Sequence, residues 1–295
     1  MKINQVYQKQ IEQIKVDGEQ IALDKLKELY KKQKVTREDY IKEVAYFYAK
    51  NSKDNKISLD TYSQMSILNK MKDNFKDYRQ TLNDAEIGIL TETLFTVYKD
   101  TYYKNAFILD SGLKVDLQFP ILKKEFIDAA INQKYKSEIW SDRIWKNKTD
   151  LVNQLQLNLQ DAMQGNKTLN ETIKDIKDRF NVSAYQSKRL VITENSRIQS
   201  QASLDIAEGA GVKQVIYSAT LDGLVSPECA ALDGQVWDLG SSEIVTPPEN
   251  HPNCRCILVN VPFEGWQPSV RKDNISKDII DYKTYDKWKA DKGID

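Results

Sequence analysis

The feature that most constrains the fold is a change of pattern at "EGAG", residues 208–211. Before it, stretches rich in Lys, Glu, Gln and Leu recur at helical spacing, whereas after it β-branched and aromatic residues sit between turn signals. Gly209 and Gly211 cost helix stability and allow a left-handed cap, so a helix is expected to end there. Downstream, "VKQVIYSATL" reads as a strand and Asp222-Gly223 as a turn. "SPECAAL" reads as one helical turn, with Ser226 as its cap and Pro227 in the first position. Asp233-Gly234 turns into a strand "QVWDL", a Ser/Pro-rich loop follows, and "CRCILVNV" reads as a third strand. "DIIDYKTYDKWKADKG" reads as a final helix. The expected fold is therefore α+β and predominantly α-helical: a long helical body, a small antiparallel β module with a Cys/His cluster, and a C-terminal helix.

Local start signals divide the helical body. Thr36 with Asp39 resembles a capping box opening "YIKEVAYFYAK". Asn83 or Asp84 is placed to cap a helix in which Ile87, Leu90, Leu94 and Tyr98 recur, and Gly112 stands where a C-cap glycine belongs. Thr168 with Glu171, and Ser183 with Gln186, are two further capping boxes, the second opening a helix to about Glu208.

Apolar residues make up 40% of the chain and charged residues 29%, enough for a folded core and against global disorder. The formal net charge of zero gives no whole-molecule field for drawing in nucleic acid or anionic membrane. The first twenty residues lack the apolar run of a signal peptide and no stretch approaches a membrane span, so folding in a cytoplasm is expected. Charge is uneven along the chain: residues 212–265 carry two basic against seven acidic residues, and residues 1–211 carry 34 basic against 30 acidic. Residues 120–148 hold seven basic and four acidic residues, with Trp140 and Trp145 among them. Basic residues interleaved with aromatics make Lys134, Lys136, Arg143, Lys146 and Lys148 candidate DNA contacts. The more common meaning of such a stretch is a solvated helix face over two core tryptophans.

His251 and all three cysteines, Cys229, Cys254 and Cys256, fall within one short window of the β module. Three cysteines cannot all pair internally, and reducing conditions disfavour disulfides, so metal ligation gains weight. On a strand Cys254 and Cys256 present both sulfurs to one face, with His251 three residues earlier across a Pro-Asn turn. Three thiolates and an imidazole are a known tetrahedral zinc set, and four protein ligands close the coordination sphere, which is the pattern of a structural metal. Two other readings stand beside it: small buried thiols with a loop histidine, or a His251–Cys254 base and nucleophile oriented by Asn250 or Asn253. Elsewhere there is no phosphate-binding glycine loop, no H-E-x-x-H and no G-x-S-x-G. Thr193, Glu194 and Arg197 read first as helix-packing or interface groups, with a catalytic Glu194 as the alternative.

The order of features resembles the phage Mu F-like head morphogenesis family, also called minor capsid or minor head proteins. "IWSDRIWKNKTDLVNQLQLNLQDAMQGNKTLNETIKDIKDRF" is similar to its helix, glycine turn and second helix. "VITENSRIQSQASLDIAEGAGVKQVIYSATLDGLVSPECAALDGQVW" and "PPENHPNCRCILV" resemble its later segments, and the tail "SKDIIDYKTYDKWKA" resembles the ending of versions from phages of Gram-positive bacteria. The signature falls on Cys229, Asp233, Gly234, His251, Pro252, Cys254, Arg255 and Cys256. The resemblance covers about residues 135–290. It divides the chain into a helical N-terminal region 1–130 with no matched motif, a helical part 131–211, the β module 212–265 and a C-terminal helix or tail 266–295. It implies a low-copy structural protein of the virion, inside the capsid, assembled in the host cytoplasm. The implied partners are the portal protein at the portal vertex, the major capsid or scaffolding protein, and double-stranded DNA bound without sequence preference during packaging or ejection. Some relatives carry a C-terminal toxin domain, for which the roughly 30 residues after the module leave no room. The alternative function is a metal-assisted hydrolase or nuclease built on the Cys/His cluster, in which water takes one ligand position.

Overall fold

The computed structural model describes residues 3–57, 59–113 and 120–294. Long helices dominate: α1 (Ile3–Asn51), α2 (Thr61–Leu113), α3 (Lys124–Ile131), α4 (Trp140–Met163) and α5 (Leu169–Gly209). A two-residue pair, β1 (Ser52–Lys53) with β2 (Lys56–Ile57), joins α1 to α2. After α5 come β3 (Gln214–Ser218), α6 (Pro227–Leu232), β4 (Val236–Asp238) and β5 (Ile257–Val261). The last elements are β6 (Val270–Lys272), β7 (Ile279–Asp281) and α7 (Tyr285–Lys292).

The Thr168/Glu171 capping box is formed: the Glu171 carboxylate accepts from the Thr168 amide at 2.8 Å, and Thr168 Oγ1 accepts from the Glu171 amide. Three other start signals lie inside continuous helices. Thr36 is within α1, where its hydroxyl donates back to the Lys32 carbonyl. Asn83 and Asp84 are within α2, which also runs past Gly112 to Leu113. Ser183 and Gln186 are within α5. In each case tertiary packing overrides a local preference for a cap. The expected end of α5 is correct: the helix stops at Gly209 and Gly211 takes a left-handed φ of +68°. The expected C-terminal helix is shorter than read, because its "IID" forms β7 and only Tyr285–Lys292 is helical.

The residues divide into two units, each assembled from separated stretches. The helical unit comprises Asp24–Thr91 and Lys134–Arg189. Its apolar core draws on four helical segments: Tyr40, Val44 and Tyr48 of α1, Phe75 and Leu82 of α2, Leu151 to Met163 of α4, and Ile176 and Phe180 of α5. Its two connections are pinned together at one end, where the Leu59 amide donates to the Met163 carbonyl. Gly165, at φ +80°, belongs there because a β-carbon would stand 2.9 Å from the Ile57 carbonyl oxygen.

The sheet-bearing unit comprises Met1–Leu23, Glu92–Gln133 and Leu190–Asp295. Its antiparallel sheet has the order β4–β3–β5, with Tyr217 of β3 opposite Leu258 of β5. The start of α1 packs on this sheet: Tyr7 donates its hydroxyl to the Asn260 carbonyl and meets Trp266 edge-on. Gly18 of α1 lets the Gln199 amide come close enough to donate to the Ile14 and Lys15 carbonyls.

Candidate metal centre

Each cluster residue is placed by a separate local device. Cys229 lies in α6, whose Ser226 cap accepts the Cys229 amide hydrogen. Cys254 and Cys256 sit immediately before β5 rather than on it. The turn at His251–Asn253 is fixed by Asn253 at φ +65°, a conformation asparagine tolerates, and by its amide donating 3.0 Å to Thr193 Oγ1 of α5. All three thiols are buried in one apolar cluster with Val215, Tyr217, Leu258, Tyr285 and Trp288.

The ligand atoms of Cys229, His251 and Cys254 lie within 4.8 Å of one another. Cys229 Sγ is 3.1 Å from His251 Nε2 and 3.6 Å from Cys254 Sγ. Bond lengths of about 2.3 Å to sulfur and ~2.0 Å to nitrogen put tetrahedral neighbours ~3.5–3.8 Å apart, close to this spacing. His251 Nδ1 lies 2.9 Å from the Pro252 carbonyl, the hydrogen bond that leaves Nε2 free to ligate. Tyr217 donates its hydroxyl to Cys229 Sγ at 3.2 Å, and Asn250 donates to both Tyr217 and Cys229. The donor set and its supporting hydrogen bonds can hold a metal ion. Cys256 is outside the compact group of three, although its thiol hydrogen-bonds with those of Cys229 and Cys254.

The thiols of the cluster differ in their electrostatics. Hydrogen bonds from Cys254 and Cys256, then from Tyr217 and Asn250, hold the Cys229 thiol far below its usual range. The same exchange pushes Cys254 up. Burial, followed by the neighbouring Cys256 and Cys254, keeps Tyr217 protonated as a donor. The imidazole makes its hydrogen bond with Cys229, and the Asn253 amide is anchored to Thr193, so the alternative His251–Cys254 nucleophile pair is not the contact made.

The remaining signature residues frame this cluster. Asp233 accepts from the Ala219 and Tyr285 amides and from both terminal nitrogens of Arg271. Arg271 is fully buried and also donates to the carbonyls of Lys283 and Ala219. Gly234 takes φ +82° beside the Tyr282 hydroxyl. Arg255 pairs with Asp222. Asp273 collects Trp288 Nε1, Lys292 and two backbone amides. Arg271 and Asp273 had no signal in the sequence, because each is one charge among many in a polar tail. Thr193 was singled out as a packing group, and its partner is the turn that carries His251. Glu194 is buried against Arg197, which donates to the Ala130 and Ile131 carbonyls at the end of α3.

A second candidate surface lies in the helical unit. Lys134, Lys136 and Lys146 are exposed, and Arg143 stacks on Tyr135 while pairing with Glu138. Lys148 is a correction: it is fully buried in an ion pair with Glu86, so it is not available to a phosphate. Trp140 is buried as expected of a core tryptophan, but Trp145 is 37% exposed. Assigning residues to units makes the charge separation wider than it looked along the chain. The helical unit carries 25 basic and 18 acidic residues, and the sheet-bearing unit 18 basic and 25 acidic.

Residues 153–259 match the family model described as Phage Mu protein F like protein. That segment is similar to Mu F-like proteins. The chain is 23% identical over 266 residues to the minor head protein GP7 of Bacillus phage SPP1, covering 83% of this chain and 85% of that protein. It is 25% identical over 206 residues to the NAD(+)--arginine ADP-ribosyltransferase EFV of Enterococcus faecalis (strain ATCC 700802 / V583), covering 65% of this chain. The chain spans only 42% of that relative's length. No solved structure matches. No helix among the described residues is long and apolar enough to cross a membrane.

Proposed function

We propose that this protein is a structural minor head component that docks on the portal protein inside the procapsid and takes part in head morphogenesis. The observation that carries the reading is the match to a minor head protein across most of both chains. Its location is then the virion interior, after assembly in the host cytoplasm, with major capsid or scaffolding protein as further neighbours. The excess of basic residues in the helical unit supports non-specific contact with duplex DNA through Lys134, Lys136 and Lys146 during packaging or ejection. Zinc is the metal proposed for Cys229, His251 and Cys254, with Cys256 as fourth ligand, and its role is to clip the β module.

The test is co-expression with the cognate portal and capsid proteins, followed by purification of procapsids. The protein is expected in wild-type particles at low copy, and its complete absence from them overturns the reading. A hydrolase reading draws on the compact group of three ligands, which on its own leaves a fourth position for water. Cys256→Ser separates the two: a structural four-ligand site loses metal, whereas a three-ligand catalytic site keeps it. The burial of Glu194 against Arg197 supports the structural reading, because that carboxylate holds the guanidinium that caps the end of α3.

A further inference from the structure

One cross-section of the helical unit is polar. Lys148 of α4 is fully buried, and its Nζ lies 2.6 Å from Oε2 of Glu86 on α2, itself 1% exposed. Lys148 also donates to Ser183 and Ser187 of α5 at 3.0 and 3.1 Å. Ser187 donates to Glu86 at 2.8 Å, and Gln33 of α1 donates to Ser187 at 3.1 Å. All four helical segments therefore meet in one buried network. The network is incomplete: Glu86 Oε1, Gln33 Oε1 and both amide atoms of Asn83 are buried without a partner. Further along the same four segments, toward the β1–β2 connection, the core is aromatic and aliphatic, with Tyr40, Phe75, Leu155 and Phe180.

These two cross-sections differ in what opening costs. Exposing the apolar end puts aromatic and aliphatic surface into water. Exposing the polar end rehydrates a charge pair and relieves the orphaned acceptors and donors. Buried pairs return their desolvation cost only when every lone pair and proton is satisfied, and here several are not. We propose that the Glu86–Lys148 layer is the built-in opening point of the helical unit, so that the four segments separate there before they separate at the β1–β2 end. The pair then fixes which partners meet in the closed state while keeping that state easy to leave.

Hydrogen exchange read by mass spectrometry on the full-length chain tests this. Amides around Gln33 and Ser183–Ser187 are expected to show roughly tenfold or more lower protection than those around Val44–Tyr48 and Ile176–Phe180. Helices α1, α2 and α5 continue through the layer, so fraying at helix ends does not mimic the effect. The double variant Glu86→Leu/Lys148→Met is expected to remove that difference and to raise the melting midpoint by about 5 °C. Equal protection at the two positions in the wild-type chain overturns the proposal, as does a folded double variant with unchanged exchange or a lower midpoint. The wild-type measurement needs no substitution, so it decides the question even if the double variant does not fold.

Discussion

The two units bury charge in opposite ways. In the sheet-bearing unit, Arg271 and Asp233 are 1% and 2% exposed, and both carboxylate oxygens and both terminal guanidinium nitrogens have partners. In the helical unit, Glu86 and Lys148 are buried as deeply, but one carboxylate oxygen and the nearby Asn83 amide have no partner. The desolvation cost is of the same kind in both places. Complete pairing makes the first a fixed joint that ties β6, α7 and the α6 turn together, whereas incomplete pairing makes the second a weak layer. Burial of a charge therefore says little about rigidity until its partners are counted.

If the metal centre adds to the fixed joint, its loss is the largest perturbation of the sheet-bearing unit. Cys229→Ser, or treatment with a strong chelator, is expected to release zinc and lower the melting midpoint by ~10 °C or more, while helical circular dichroism is mostly kept. Metal content and thermal melting check this, and an unchanged midpoint in both cases removes the metal from the joint.

Next in size is Arg271→Met, which strands Asp233 and is expected to cost about 3–5 kcal/mol. Denaturant unfolding followed by the buried Trp266 and Trp288 reads it directly. A loss below about 1 kcal/mol would place Arg271 on a par with a surface pair and erase the contrast between the units.

Asp273 gives a smaller, pH-dependent effect. Burial works to raise its carboxyl, but hydrogen bonds from Lys292, Trp288 and the Ile275 and Ser276 amides outweigh it and hold the group well below the usual carboxylate range. A folded-state value below the unfolded one means that stability is present above about pH 4 and is lost as the pH falls toward the folded value. Asp273→Asn is expected to cost about 2 kcal/mol at pH 7 and to flatten the stability profile below about pH 4. An equal acid slope in wild type and variant would assign that slope to other carboxyls.

The smallest effect belongs to the helical unit's one confirmed capping box. Thr168→Ala is expected to cost about 1 kcal/mol, visible as a shift in urea midpoint. If it cost as much as Arg271→Met, the pinned end would be as tightly held as the fixed joint.

What could be read from the chain follows the range of the interaction that decides each element. The end of α5, the Ser226 cap and the Thr168/Glu171 box depend on neighbours within a turn, and all three were legible. Ser183 carried the same local signal, yet its hydroxyl accepts from Lys148, 35 residues away, and α5 runs straight through it. The Cys/His cluster was legible because His251, Cys254 and Cys256 are close in sequence, although the two cysteines precede the strand on which they were placed. Asp233 stood out as a signature residue while its partner Arg271 did not, since only the folded tail brings them together across 38 residues. Lys148 looked like any other lysine in a basic stretch until the bundle enclosed it.

The interleaving of the two units sets a schedule for synthesis. Every residue of the helical unit has left the ribosome soon after Arg189, so that unit can collapse while the chain is still growing. The sheet-bearing unit must wait: the first turns of α1 reach their place only when Asn260 arrives to accept the Tyr7 hydroxyl, 253 residues later. The segment around Tyr7 is thus made long before the surface that orders it.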